Sequence, residues 1–103
     1  MKTELDPESR KALIKYRLER AIETLKEADY NAAGGYFNNA VNRLYYSAFY
    51  AMSALLIHKG FTTPTHQGAK SLFSLYFINS GLIDKQHAGT LNELFINRQV
   101  GDY

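Results

Sequence analysis

The sequence predicts an all-α fold, an up-down antiparallel bundle of four helices, and three observations support this. Apolar residues recur at helical spacing in four segments of the 103-residue chain. Glycine, proline and other turn-forming residues fall between those segments. No segment shows the strict apolar–polar alternation of a half-buried strand. Since short connections favour antiparallel neighbours, the chain is expected to form one helical domain over residues 1–103.

Helix 1 is predicted over residues 7–30. Asp6 can cap its start, Pro7 suits the first helical position, and Glu8 complements the helix dipole. One face of this helix carries apolar residues at helical spacing: Ile14, Leu18, Ala21, Ile22, Leu25 and Ala28. The Gly34-Gly35 pair is expected to break the helix.

Helix 2 is predicted over residues 36–59, with Gly60 as its C-cap. One face is apolar and carries Phe37, Val41, Leu44, Tyr45, Ala48, Met52, Leu55 and Leu56. The second face is not polar either and carries Tyr36, Arg43, Tyr46, Tyr50 and Ile57. A helix that is apolar nearly all round is either central or shared between a core and an interface.

Helix 3 is predicted over residues 66–79, and helix 4 follows a cap at Asp84. The buried face of helix 3 would contain Ala69, Leu72, Phe73, Tyr76 and Phe77. Helix 4 would contribute Ala88, Leu91, Leu94 and Phe95. Six residues are predicted to be buried together in the core: Leu44, Ala48, Leu72, Phe73, Leu91 and Leu94.

Composition narrows the functional classes. The chain has no cysteine, which excludes disulfides, thiol catalysis and cysteine-ligated zinc. The first residues lack the apolar stretch of a signal peptide, and no apolar run reaches about 18 residues. We therefore expect a cytoplasmic protein that does not enter a membrane.

Charge is distributed unevenly along the chain. Residues 31–83 contain Arg43, Lys59 and Lys70 but no aspartate or glutamate, and they are rich in tyrosine. Burial of the chain centre would exclude charges in this way. An anion-binding face would also explain the pattern.

No motif for nucleotide phosphates, dinucleotides or metalloprotease zinc is present. His58, His66 and His87 lack metal-ligand spacing, so we expect no metal and no cofactor. Arg43 would be either a structural arginine with a carboxylate or carbonyl partner or a contact for phosphate or another chain. His66 would either cap helix 3 or contact an anion at its N-terminus. Arg98 suits a helix C-terminus electrostatically, whether or not it has another role.

Three segments carry a family resemblance. They read Asn-Arg-Leu-Tyr-Tyr-Ser-Ala-Phe (42–49), Thr-Pro-Thr-His-Gln-Gly (63–68) and Leu-Asn-Glu-Leu-Phe-Ile-Asn-Arg-Gln-Val-Gly-Asp-Tyr (91–103). In this order and at this spacing they resemble the HEPN domain, the helical domain of higher eukaryotes and prokaryotes linked to nucleotide binding. The similarity covers residues 10–103 and is greatest to small stand-alone prokaryotic members.

The resemblance implies a homodimer and pairing with a minimal nucleotidyltransferase in toxin–antitoxin systems. Active members are metal-independent ribonucleases whose motif is an arginine, four to six residues, and then a histidine. The arginine corresponds to Arg98, and Tyr103 stands at the nearest position expected for the histidine. A tyrosine, with an ordinary pKa near 10, is a poor general base at neutral pH, so we expect little cleavage by this chain. The family often continues with a further helix, which predicts a truncated chain or an open apolar face.

The leading hypothesis is a HEPN protein that binds or acts on RNA or nucleotides. Its candidate catalytic residues are Arg98 for the phosphate, His66 for proton transfer and Tyr103 as an orienting group. Its candidate ligand-binding residues are Arg43, Tyr46 and Asp102. The alternative is a non-catalytic helical module whose tyrosine-rich second face on helix 2 binds a partner protein.

Overall fold

A computed structural model describes residues 5–62 and 65–101 of the chain. The helices in these residues are α1 (Pro7–Ala33), α2 (Phe37–His58), α3 (His66–Phe73, continued by a π-helical turn, Ser74–Ile78) and α4 (Gln86–Gly101). The predicted all-α helical bundle is confirmed. Within the part of the chain that is described, no helix has the length and apolar character needed to cross a membrane.

The ends of α1 follow from local chemistry. The Asp6 carboxylate accepts a hydrogen bond from the Ser9 backbone N–H at 2.8 Å, which satisfies a donor that the first helical turn leaves unpaired. The hydrogen bonds with Ser9 lower the pKa of Asp6. The helix extends three residues beyond its predicted end, because its hydrogen bonding continues until Gly34 N–H donates to the Tyr30 carbonyl. Gly35 then takes a φ of 82°, a conformation that glycine adopts without strain.

Helix α2 lies at the centre of the bundle. On one side it packs antiparallel against α1, where the Ser47 hydroxyl donates to the Ala21 carbonyl at 2.7 Å. On its other side it packs against α3 and α4. The core there is formed by Tyr45, Met52, Leu56, Ala69, Phe73, Phe77 and Leu91. The prediction that an apolar helix 2 would be central is confirmed.

Helices α2 and α3 depart from the predicted up-down antiparallel order. Helix α3 runs parallel to α2, because His66 at its start contacts Tyr45, whereas Phe77 near its end lies 6.0 Å from the Lys59 ammonium. Phe61, soon after α2, stacks on Tyr76 with ring centroids 4.5 Å apart. The end of α2 therefore lies beside the end of α3, and α3 begins beside the N-terminal half of α2.

Helix α4 is antiparallel to both α2 and α3. The Phe95 ring lies 5.7 Å from that of Tyr45, early in α2, while Leu91 packs in the core with Met52. The Lys70 ammonium donates to the Asn92 side chain at 3.2 Å and lies 4.0 Å from the Phe95 ring centroid. The C-terminal half of α4 therefore lies beside the beginning of α3.

The core prediction is right in part. Phe73 and Leu91 are buried, and Ala48, Leu72 and Leu94 pack against the core as partly buried residues. The prediction that Leu44 is buried is wrong, since Leu44 is 39% exposed. The core face of α2 follows Tyr45, Phe49, Met52 and Leu56, and Leu44 is rotated about 100° from Tyr45.

The predicted apolar face of helix 1 is also only partly buried. Ala21 and Ala28 pack against α2, whereas Leu18, Ile22 and Leu25 are exposed. Helical spacing places these three residues on the same flank of the α1–α2 pair as Leu44 and Leu55, which are exposed on α2. We call this surface the apolar face: Leu18, Ile22, Leu25, Leu44 and Leu55.

Candidate functional site

The predicted site residue His66 lies in a cluster of aromatic rings. Its Nδ1 is 2.9 Å from the hydroxyl of Tyr45, which is completely buried. The Phe49 ring stacks on the imidazole with centroids 4.1 Å apart, and the Tyr46 and His66 rings are nearly perpendicular with centroids 5.7 Å apart. We call these four residues the histidine cluster: Tyr45, Tyr46, Phe49 and His66.

Local sequence explains this placement. Tyr45, Tyr46 and Phe49 lie within one turn of α2 and present their rings towards α3. Thr65 is the N-cap of α3, and its hydroxyl accepts from the Gly68 N–H at 2.9 Å. The interpretation of His66 as the cap is therefore wrong, because the preceding threonine fulfils that role and His66 turns its ring towards α2.

The histidine cluster can hold an imidazole in a fixed orientation. The Tyr45 hydroxyl can donate to Nδ1 or accept from it, and either arrangement fixes which ring nitrogen carries the proton. Histidine is the side chain best suited to exchange a proton near neutral pH. The cluster thus has the chemical character of a general acid or base, as well as a surface on which a base ring could stack.

Arg43 has several partners. Its guanidinium donates to the Asn42 side-chain oxygen at 2.6 Å, lies 3.4 Å from a Glu27 carboxylate oxygen, and is 5.3 Å from the Tyr46 ring centroid. Arg43 therefore has a carboxylate partner, as one of its two interpretations expected, and Glu27 is that partner. The Arg43–Glu27 pair is partly exposed, and such ion pairs contribute little to stability and can exchange partners.

The remaining candidates lie towards the end of α4. Arg98 follows Phe95 by three residues, which places its backbone at the same end of the bundle as Tyr45 and His66. The Arg98 side chain, Asp102 and Tyr103 lie outside what the structure describes. The described geometry therefore brings together His66, Tyr46 and Arg43, and the Arg98 backbone lies at the same end of the bundle.

The sequence places Tyr45 on an apolar face of helix 2, but it does not predict the hydrogen bond between Tyr45 and His66. The two residues are 21 positions apart, and no local pattern links a core tyrosine to a histidine beyond a loop. The sequence shows the adjacent Tyr45 and Tyr46, and it shows His66 directly after Thr65. Their contact depends on the parallel arrangement of α2 and α3.

Replacing Tyr45 by phenylalanine tests this contact. The substitution keeps the ring and removes the hydroxyl that bonds His66, so we expect a loss of about 0.5–1.5 kcal/mol in the free energy of unfolding. Urea unfolding followed by circular dichroism measures it. Tyr36→Phe is the control, since Tyr36 is 63% exposed and its substitution should change stability little. Equal effects of the two substitutions would contradict the assigned contact.

The fold and this cluster define a small all-α bundle domain with histidine, tyrosine and arginine side chains gathered at one end. The HEPN domain model matches residues 14–103 of the chain. The chain therefore belongs to the HEPN domain family.

Three relatives illustrate the match. A UPF0332 protein of Thermotoga maritima is 36% identical over 91 residues, which cover 88% of this chain and 69% of the relative. In Methanocaldococcus jannaschii, the protein named "Putative toxin MJ0142" is 31% identical, covering 84% of this chain and 58% of its own length. The one named "Putative toxin MJ0605" is also 31% identical, with coverages of 87% and 67%. This chain thus spans only part of each relative, and no solved structure matches it significantly.

Proposed function

We propose that this chain is a HEPN module that binds RNA or nucleotides within a toxin–antitoxin-like pair, with a minimal nucleotidyltransferase as the other member. The observation that carries the proposal is the gathering of His66, Tyr46 and Arg43 at the end of the bundle where α4 brings Arg98. The names of two relatives as putative toxins support the toxin-like role.

Each residue has a role in this proposal. Arg98 and Arg43 bind phosphate, because a planar guanidinium donates two parallel hydrogen bonds to phosphate oxygens. Tyr46 stacks against a base, and His66 is positioned for proton transfer or an anion contact. Asp102 and Tyr103 orient the ligand. We expect the chain to bind RNA without cleaving it appreciably, since Tyr103 stands at the nearest position at which the family's histidine is expected.

Binding of a fluorescently labelled single-stranded RNA, followed by anisotropy, tests the proposal. The Arg43→Ala, Arg98→Ala double variant is expected to bind at least about tenfold more weakly than wild type, because it cannot neutralise two of the phosphates. Lys11→Ala, Lys26→Ala is the matched control, since it removes two exposed positive charges from α1. Unchanged binding by the arginine variant would remove both arginines from the site.

The second candidate is a non-catalytic module that binds a partner protein, and the apolar face favours it. Exposed apolar surface of this kind marks interaction sites more often than it stays in water. On the tyrosine-rich second face of α2, where the sequence suggests a partner, Ile57 is buried, and Arg43, Tyr46 and Tyr50 are partly buried beside α1. A partner protein would therefore dock on the apolar face.

Homodimer formation through the apolar face is part of the first candidate, whereas in the second candidate a partner protein occupies that face. Sedimentation at micromolar concentration is expected to give twice the chain mass of 11.7 kDa. Ile22→Lys is expected to shift the dimer towards monomer, because it places a charge in the apolar face at a position that is 58% exposed. Tyr30→Lys, at an 81% exposed position outside this face, should leave the mass unchanged. A wild type that sediments as an 11.7 kDa monomer would contradict the dimer.

A further inference from the structure

Arginine and tyrosine side chains contact one another along the flank of the α1–α2 pair opposite the apolar face. The Tyr46 and Tyr50 ring centroids are 6.3 Å apart. The Arg43 guanidinium lies 5.3 Å from the Tyr46 centroid, and those of Arg20 and Arg17 lie 5.5 and 6.0 Å from the Tyr50 centroid. We call these five residues the arginine–tyrosine track: Arg17, Arg20, Arg43, Tyr46 and Tyr50.

The track follows from helical spacing. Arg17 and Arg20 lie one turn apart on α1, while Arg43, Tyr46 and Tyr50 occupy successive turns of α2. Antiparallel packing of the two helices then places both α1 arginines beside Tyr50, the last of the three α2 residues. The sequence pattern alone could not reveal this, because each helix contributes part of the track.

The charges of the track are incompletely balanced. Arg20 pairs with Glu23 at 2.9 Å and Arg43 with Glu27 at 3.4 Å, and both carboxylates are exposed. Hydrogen bonds with Tyr50 and then Glu23 raise the pKa of Arg20, so it stays charged. Exposed ion pairs are weak, and a phosphate can replace the carboxylate.

Arg17 adds a third cation with an unmet hydrogen-bonding need. Its Nε is buried and has no hydrogen-bond acceptor among the residues that the structure describes. A buried N–H without an acceptor is unfavourable, and a guanidinium gains most from an anionic partner. Arg17 also lines a cavity of about 80 Å³ beside Phe49, Ser53 and Thr62. The track therefore includes a guanidinium with one donor that the described residues leave without an acceptor.

The track leads to the histidine cluster. Tyr46 belongs to both surfaces, since its ring contacts that of His66 at 5.7 Å and the Arg43 guanidinium from another direction. A ligand lying along Tyr50 and Tyr46 would therefore reach His66 at the end of the bundle where α4 brings Arg98.

We propose that the arginine–tyrosine track binds single-stranded RNA and directs it to the histidine cluster. This inference rests on the proposed RNA-binding function and names the surface and the form of RNA. The arginines bind successive phosphates, and the tyrosines stack on bases. A duplex is a poorer ligand, because its bases stack on one another and their faces are not available to the tyrosine rings.

The test is anisotropy with labelled oligouridylate, repeated over a series of salt concentrations. Arg17→Gln, Arg20→Gln is expected to bind at least about tenfold more weakly and to reduce the log–log salt slope by about 0.7 for each phosphate that is no longer neutralised. Lys15→Gln, Lys26→Gln is the charge-matched control on exposed positions of α1, with an expected loss of under about threefold. Urea unfolding checks that each variant is folded. If the double variant does not fold, the single variant Arg20→Gln is used in its place.

A second pair of variants tests stacking without changing charge. Tyr50→Leu is expected to weaken oligouridylate binding by roughly 5- to 150-fold, the range for loss of one base–ring stack. Tyr30→Leu, at a position of α1 outside the track, should have no effect. Binding of a preformed duplex should be weaker than that of the single strand and insensitive to Tyr50→Leu.

The outcomes separate the two levels of the proposal. If the wild-type protein binds no RNA, the proposed function itself is contradicted. If the track variants then lose binding to a partner protein, the track is a protein interface. Wild type that binds RNA while the track and control variants show equal affinity and salt slope overturns the track alone. Equal binding of polyglutamate, or of duplex, overturns recognition of single-stranded RNA.

Discussion

Replacing Leu56 by alanine is expected to lower the free energy of unfolding by about 2–5 kcal/mol, the usual range for truncating a core leucine. Leu56 is only 2% exposed and lies in the core between α2 and α3 with Met52 and Ala69. Small domains are stable by only about 5–15 kcal/mol, so this substitution should bring the protein close to unfolding.

Leu44→Ala is the matched comparison, because it makes the same chemical change in the same helix. Leu44 is 39% exposed on the apolar face, so its truncation should cost under about 1 kcal/mol in the monomer. Urea unfolding of both variants by circular dichroism, below the concentration at which dimers form, measures the difference. Equal losses would contradict the placement of the core on the Tyr45–Leu56 face of α2.

The second large effect concerns cleavage. In an RNA incubation with EDTA, wild type is expected to leave the RNA essentially intact, and Tyr103→His to raise the cleavage rate by on the order of 10²–10⁴-fold. That range is the usual contribution of a positioned general acid or base. The substitution restores the arginine, four residues, histidine motif that begins at Arg98. EDTA ensures that a contaminating metal-dependent nuclease does not produce the signal.

Two further variants assign the roles. Adding Arg98→Ala to Tyr103→His should remove most of the gained activity, because the arginine stabilises negative charge that develops on the phosphate. His66 is the proton-transfer candidate in the histidine cluster, so His66→Ala should lower any residual cleavage by the wild-type protein. Strong wild-type cleavage that Arg98→Ala abolishes would refute the expectation of an inactive chain and confirm the site.

The helices could be predicted from sequence because periodicity and caps act locally. Asp6, Asp84 and the Gly34-Gly35 pair mark helix ends, and the predicted boundaries lie within a few residues of those observed. The side of α2 that faces the core was harder to predict. Both faces of that helix are apolar, so spacing alone could not separate Leu44 from Tyr45.

The parallel direction of α3 illustrates a different limit. It depends on the docking of Phe61 beside Tyr76, a contact across 15 positions that no local pattern encodes. The same arrangement brings His66 to Tyr45 and Tyr46. Sequence motifs could therefore nominate Arg43, Tyr46 and His66 separately, whereas their proximity and the role of Arg17, Arg20 and Tyr50 required the packing of three helices.

The most direct test of the central claim is the anisotropy of a labelled single-stranded RNA titrated with wild-type protein in EDTA, with the same samples run on a denaturing gel. We predict that the RNA is bound, more weakly as salt rises, and remains intact, because the arginines supply phosphate contacts while Tyr103 stands at the nearest position expected for the histidine. No binding at about 100 µM protein, the weak end of non-specific nucleic-acid affinity, would contradict an RNA-binding HEPN module and leave the protein-binding module as the function.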